Sequence, residues 1–229
     1  MDDVQIVLVH GAFCSPGHWD YLVDELDARG LRSVRADLPS MRAATLSLPD
    51  DVEHVRTLTG DTPSILCGHS YGGAVISQAA PALPGVLHLV YLASVLPDVG
   101  ETMFDWLLKR PMEGAPLDFH DDGTATVTEW AVDDGKHDPA VLKLFHEYPA
   151  RPVAISAMTT PLEAAGWKTL PSTAVCATRD TVLHPDTQRE AADRATRSIE
   201  LDSDHQVQAE LPDEVASLLE TLATQTPLG

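Results

Sequence analysis

Residues 86–95, VLHLVYLASV, form an almost unbroken apolar run. A strand with this composition has no face to give to water, so it must lie in a sheet covered on both sides. The rest of the chain supplies that sheet and its covering layers. QIVLVH (residues 5–10), LRSVRADLP, SILCGHS, STAVCAT (residues 172–178) and RSIEL (residues 197–201) read as five further strands. Amphipathic stretches fall between them. WDYLVDELDARG carries helical spacing at Trp19, Leu22, Val23 and Leu26, with Gly30 as its stop. A helix around residues 51–58, the small-residue helix GGAVISQAA ended by Pro81, a helix around residues 185–195 and the closing helix PDEVASLLETLA complete the set. Strand and helix alternating six times predict an α/β fold, a mostly parallel six-stranded sheet with helices on both faces.

The alternation breaks once. Residues 1–96 and 171–229 read as the core, and residues 97–170 as a cap inserted over the sheet. Within it, LDFHDDGTATVTEWAV predicts a hairpin with Asp-Gly at the turn, and a helix is expected near residues 140–146. Asp118, Asp122, Gly123 and Glu129 fall at the spacing of a calcium loop, but His120 occupies a ligand position and no helices flank it. The hairpin is the better reading.

Composition excludes several partners. With 15 Lys and Arg against 35 Asp and Glu, the 229 residues carry a net charge of −20. Nucleic acid and anionic membrane surfaces both need a basic face, so neither is expected as a partner. Cys14, Cys67 and Cys176 make neither a disulfide framework nor a CxxC pair, so no zinc is expected. The first residues, MDDVQIVLVHGA, place acids where a secretory leader has bases. No run approaches the roughly 20 apolar residues of a membrane span. These features point to a protein of the reducing cytoplasm. Its oligomeric state stays open, a homodimer included.

Chemistry enters at Gly68-His69-Ser70-Tyr71-Gly72-Gly73, a G-x-S-x-G pattern between a strand and a helix. A serine on a strained turn needs minimal neighbours two residues away, or their side chains collide with the adjoining elements. A serine hydroxyl also needs a base, and the base an orienting carboxylate. His205 is the best base, just past the sixth strand and before the last helix; His18 and His184 lie in segments that could approach. His69, although adjacent in sequence, is expected to point elsewhere. Asp180 follows the fifth strand, at the carboxyl edge where open α/β sheets bind ligands. Asp98 is its rival, while Asp202 and Asp204 stand too close to His205 in sequence to reach round its ring. Two backbone N–H groups should complete the site, from Tyr71 and from the loop after the first strand. In that loop Ala12 is the first choice and Phe13 the fallback. Phe13, Trp106, Phe145 and Tyr148 are candidate substrate contacts, among other large side chains of the insertion such as Trp130.

VLVHGAF, ADLPS, CGHSYGG, ATRDTVLHP and SDHQVQ together resemble the α/β-hydrolase superfamily over nearly the whole chain. The HGA loop, Trp19 and LFHEYPA are similar to the group of plant methylesterases and hydroxynitrile lyases with their bacterial esterase relatives. That resemblance implies a small cap over a buried apolar pocket and no cofactor. The lyases carry threonine and lysine where this chain has Gly11 and Gln206, which favours ester hydrolysis. Cys14 departs from the pattern, standing where many relatives have a second histidine. The expectation is a serine hydrolase acting on a small, largely apolar carboxylic ester, lactone or thioester. Its alternatives are a non-hydrolytic enzyme (lyase or cofactor-free oxygenase) on the same scaffold, or a small-molecule receptor that retains the triad.

Overall fold

The structure, a computed structural model, describes residues 4–110, 116–127 and 137–225. Its centre is a six-stranded sheet whose paired strands all run parallel. In chain order the strands are β1 (Gln5–Val9), β2 (Ser33–Arg35), β3 (Ser64–His69), β4 (Val86–Leu92), β8 (Ser172–Ala177) and β9 (Arg197–Leu201), arranged β2-β1-β3-β4-β8-β9. β5 (Leu117–Phe119), β6 (Thr124–Val127) and β7 (Val153–Ala154) form a second, antiparallel sheet in the inserted segment.

The central strands read as apolar because both their faces are covered. Successive side chains point to opposite sides, so Val7 and Val9 enter one core while Ile6 and Leu8 enter the other. β4 divides likewise, Leu89 and Tyr91 against Val90 and Leu92. On one side α1 (Asp20–Ala28) buries Leu22, Val23 and Leu26 and packs against α9 (Pro212–Gln225). On the other lie α2 (Leu48–Thr59), α3 (Gly72–Ala79) and α7 (Pro185–Ala192). α2 starts at a capping box in which Ser47 N–H donates to Asp50 Oδ2 at 2.8 Å, and it ends at Gly60 with φ 56°.

Three boundaries differ from the sequence pattern. β2 spans only three residues, because the chain leaves the sheet after Arg35 and turns at Pro39. β4 stops at Leu92, where Ala93 takes φ 42° and turns the chain out of the strand while staying buried. A short helix α8 (Val207–Glu210) precedes α9. In the insertion, β5 and β6 make the hairpin through Gly123, φ 86°, and α5 (Pro139–Glu147) matches the expected helix. α4 (Met103–Leu107), α6 (Ile155–Thr159) and β7 are additions. Glu129 and Trp130 lie outside the described residues.

α4 is fastened to the core by polar contacts. Trp106 Nε1 donates to Glu101 Oε2 at 2.8 Å, and Arg194 donates to both oxygens of Glu101 and to Leu96 O. The Arg194 guanidinium holds the Glu101 carboxyl down to about 2, against a burial effect of opposite sign. Among the described residues no helix is long and apolar enough to cross a membrane.

Candidate active site

Four chain segments reach the carboxyl edge of the sheet together: the loops after β1, β3, β8 and β9. The turn after β3 is the most constrained. Ser70 has φ 50°, a left-handed conformation that costs a non-glycine residue on the order of 1–2 kcal/mol. Its N–H donates to Leu92 O at 3.0 Å, and Ser94 Oγ donates to its carbonyl at 2.6 Å. A Cβ on Gly68 would lie 2.6 Å from the Gly72 backbone, and one on Gly72 only 2.2 Å from Val9 O. Both glycines are therefore demanded by close backbone approach, which is the physical content of the motif.

Asp180 and His205 are both buried, and Asp180 Oδ2 accepts from His205 Nδ1 at 2.7 Å. Three more donors fix the carboxylate. Val182 and Leu183 N–H reach Oδ1 at 2.8 Å each, and Gln188 Nε2 reaches Oδ2 at 2.7 Å. With Nδ1 committed to Asp180, Nε2 is the ring nitrogen whose role in a hydrolase would be to serve the nucleophile. The other carboxylates are engaged elsewhere. Asp98 pairs with Lys168 Nζ at 2.6 Å, Asp202 with Arg179, and Asp204 Oδ1 accepts the backbone N–H of His205 at 2.7 Å. His18 and His184 serve local turns, accepting the N–H groups of Ser15 and Asp186 respectively.

His69 does not simply point away. Its Nε2 donates to His205 O at 2.9 Å, and the two rings stand 4.8 Å apart. Burial, followed by the neighbouring His205, lowers the affinity of its ring for a proton well below the ordinary histidine range. Its Nδ1, without a protein partner, faces Gly11, where a Cβ would come within 3.0 Å of both that nitrogen and Ser70 Cβ. The loop after β1 thus lies directly against the serine turn.

Phe13, at φ 66°, is buried in the same core as Tyr71, Trp106 and Met158. Phe145 lies in a separate cluster with Val141, Leu144 and Ala209, its ring edge-on to His18 at 4.8 Å. Tyr148 covers Gly17 and donates to Asp20 Oδ2 at 2.5 Å. Burial pushes the Cys14 thiol up to about 12, so it is un-ionised at neutral pH.

Two residues of this region escaped the sequence pattern. Asp51, fully buried in α2, accepts from Ser40 N (2.9 Å), Ser40 Oγ (2.6 Å) and Tyr71 Oη (2.7 Å). Its signal was available: it shares the buried face of α2 with Leu48, Val52 and Val55. Arg151 binds the loop after β1, and nothing in PARPVA marks it.

A parallel sheet carrying a strained serine at one strand end and a buried Asp–His pair at two others has the layout of an α/β-hydrolase. Residues 6–218 match the Alpha/beta hydrolase family, and the chain belongs to it. It is 35% identical over 126 residues to a pyrethroid hydrolase of Sphingobium wenxiniae, a match covering 51% of this chain and 45% of that one. A crystal structure of the pyrethroid hydrolase PytH superposes with a TM-score of 0.81 at 25% identity, over 97% of this chain and 98% of the other. Polyneuridine aldehyde esterase gives a TM-score of 0.81 at 16% identity, over 97% and 100%, a likeness of fold.

Proposed function

We propose that the protein is a serine hydrolase that cleaves a small, largely apolar carboxylic ester, lactone or thioester through an acyl-enzyme. The observation that carries this reading is the buried His205–Asp180 contact of 2.7 Å at the sheet edge that also presents Ser70 on its strained turn. Similarity to a protein named pyrethroid hydrolase supports hydrolysis of an apolar molecule. Gly11 and Gln206, small and neutral where a lyase of this group has threonine and lysine, support water as the second substrate.

In this mechanism Ser70 Oγ attacks the substrate carbonyl while His205 Nε2 takes its proton. Asp180 holds the ring and stabilises the imidazolium. The Tyr71 and Ala12 N–H groups receive the oxyanion as charge develops there. His205 then protonates the leaving alcohol or thiol, and water, activated by the same nitrogen, releases the acid from Ser70.

Hydrolysis of p-nitrophenyl acetate and butyrate, with fluorophosphonate labelling, tests the reading. The wild type should turn over and label at one site. Ser70→Ala should abolish labelling and reduce kcat by about 10⁴-fold or more, with Asp180→Asn comparably impaired. Undiminished turnover in Ser70→Ala would overturn the assignment.

A further inference from the structure

The loop of residues 10–14 must present a backbone N–H with an accuracy of tenths of an ångström, yet it has little structure of its own. Its internal turn bond, Cys14 N to Gly11 O, is long at 3.4 Å. Phe13 is held at φ 66°, a conformation that persists in a non-glycine residue only when its surroundings over-determine it. Those surroundings converge on one residue of the inserted segment. Arg151 N–H donates to Phe13 O at 2.8 Å, while its Nε and Nη2 both donate to Cys14 O, at 2.9 and 2.6 Å.

The same guanidinium reaches the other end of the loop. His10 Nε2 faces two donors, Leu38 N–H at 3.2 Å and Arg151 Nη2 at 3.3 Å. That nitrogen must therefore carry the lone pair, which puts the ring proton on Nδ1. Nδ1 in turn donates to Gly11 O at 2.9 Å. Because a trans peptide points its N–H opposite its C=O, fixing Gly11 O fixes the direction of the Ala12 N–H. Burial keeps the ring neutral, bringing His10 down to about 3, so the arrangement survives across the working pH range. Arg151 is itself anchored by Asp37, whose Oδ1 accepts from Nη1 at 2.9 Å.

We infer that Arg151 is a positioning residue for the oxyanion loop: from the inserted segment it clamps the Phe13 and Cys14 carbonyls, joins Leu38 N–H in holding the His10 ring, and through Gly11 aims the Ala12 N–H at the carbonyl under attack. This rests on the serine-hydrolase reading. One consequence is that the insertion contributes to the chemistry of the site. A lysine cannot replace this fork, since one ammonium has neither the reach nor the planar set of donors to serve Cys14, His10 and Asp37 together.

The test compares Arg151→Met, Arg151→Lys and Arg151→Ala with the wild type on p-nitrophenyl butyrate. It also measures the Ki of an aryl trifluoromethyl ketone, which binds as an oxyanion adduct of the serine. Losing one oxyanion donor outright costs on the order of 10²–10³ in rate, so misaiming one should lower kcat about 10–100-fold. KM should stay within about threefold, and the ketone Ki should rise in proportion to the loss of kcat. Arg151→Lys should behave like Arg151→Met, and millimolar guanidinium should restore part of kcat to Arg151→Ala. Asp37→Asn, which takes the negative charge from the guanidinium's anchor without touching the loop, should give a smaller loss of the same kind and serves if the Arg151 variants fail to fold. An unchanged kcat and Ki in these variants, or a rise in KM alone, would overturn the role of Arg151. Failure of the parent reading is distinguishable, because then the wild type itself would show no Ser70-dependent turnover or labelling.

Discussion

Ser70 and Gly72 show how a few ångströms of backbone can dictate residue identity. The serine is tolerated in a left-handed turn because Leu92 and Ser94 hold its peptide groups, and the turn is possible because Gly72 lets α3 begin against β1. Gly72→Ala would drive a methyl group to 2.2 Å from Val9 O, an atom fixed in the central sheet. Overpacking in a rigid site typically costs about 1–3 kcal/mol. Gly72→Ala should therefore lower unfolding free energy by at least about 2 kcal/mol in urea titration and abolish fluorophosphonate labelling. Wild-type stability with intact labelling would show that the turn relaxes more freely than its contacts indicate. This constraint was legible from the sequence because it is local: glycines at fixed offsets from a serine state their own reason. Arg151 was not, since its partners lie 114 to 141 positions away and its neighbours are two prolines, an alanine and a valine. The two rivals for the acid separate on similar grounds. Asp98 and Asp180 both follow strands, and only the folded positions of Lys168 and His205 show which carboxylate meets the histidine ring.

At the scale of elements, α2 does more than cover the sheet. Its buried Asp51 joins the turn after β2, through Ser40, to the residue following the nucleophile, through the Tyr71 hydroxyl. Burial raises the Asp51 carboxyl above its usual range, although its three hydrogen bonds oppose that shift. Asp51→Ala would strand three buried donors, each costing about 1–3 kcal/mol when unsatisfied. The expected loss, after the Ser40 hydroxyl re-aims, is about 3 kcal/mol or more in urea unfolding, with impaired turnover because the Tyr71 hydroxyl, stranded in the core beside the nucleophile, must shift the serine turn to find a partner. Tyr71→Phe removes one donor and keeps both the ring packing and the backbone N–H. It should cost about 1–2 kcal/mol and leave kcat within a few-fold of wild type. Equal losses of activity in the two variants would mean that the Tyr71–Asp51 hydrogen bond itself, and not the stranded hydroxyl, holds the turn. The helices and strands of the core were readable because each has one repeating pattern, period 2 or 3.6, imposed by a single buried face. The insertion was readable only where local chemistry dominates, at the Asp122-Gly123 turn and in the amphipathic α5. β7, two residues long, exists because β6 offers it an edge, and no pattern of period 2 fits into two residues.

At the scale of the whole molecule, two electrostatic effects act in opposite directions as pH falls. The net charge of −20 repels itself at neutral pH, so protonating carboxylates relieves strain on the compact state. The buried histidines act the other way. His10 is brought down to about 3, His18 and His88 to about 4, in each case chiefly by burial, and His69 lies well below the ordinary 6.5 for the same reason. Each is neutral when folded and takes up a proton near pH 6.5 once unfolded. The stability they confer is therefore complete above pH 6.5 and is lost as pH falls toward their folded values. Each contributes a slope of up to about 1.4 kcal/mol per pH unit across that window. Screening separates the two effects: going from 0.15 to 1 M salt shortens the Debye length from about 8 to about 3 Å, which weakens surface repulsion and leaves buried rings untouched. Urea unfolding at pH 7.5 should accordingly show higher stability in 1 M salt than in 0.15 M. In 1 M salt, stability should then drop by about 3 kcal/mol or more between pH 7.5 and pH 5. A flat profile at high salt would mean that the four rings are reached by water and protonate in the folded chain. In that case the neutral His10 that aims the oxyanion loop would also fail, and kcat would fall over the same range.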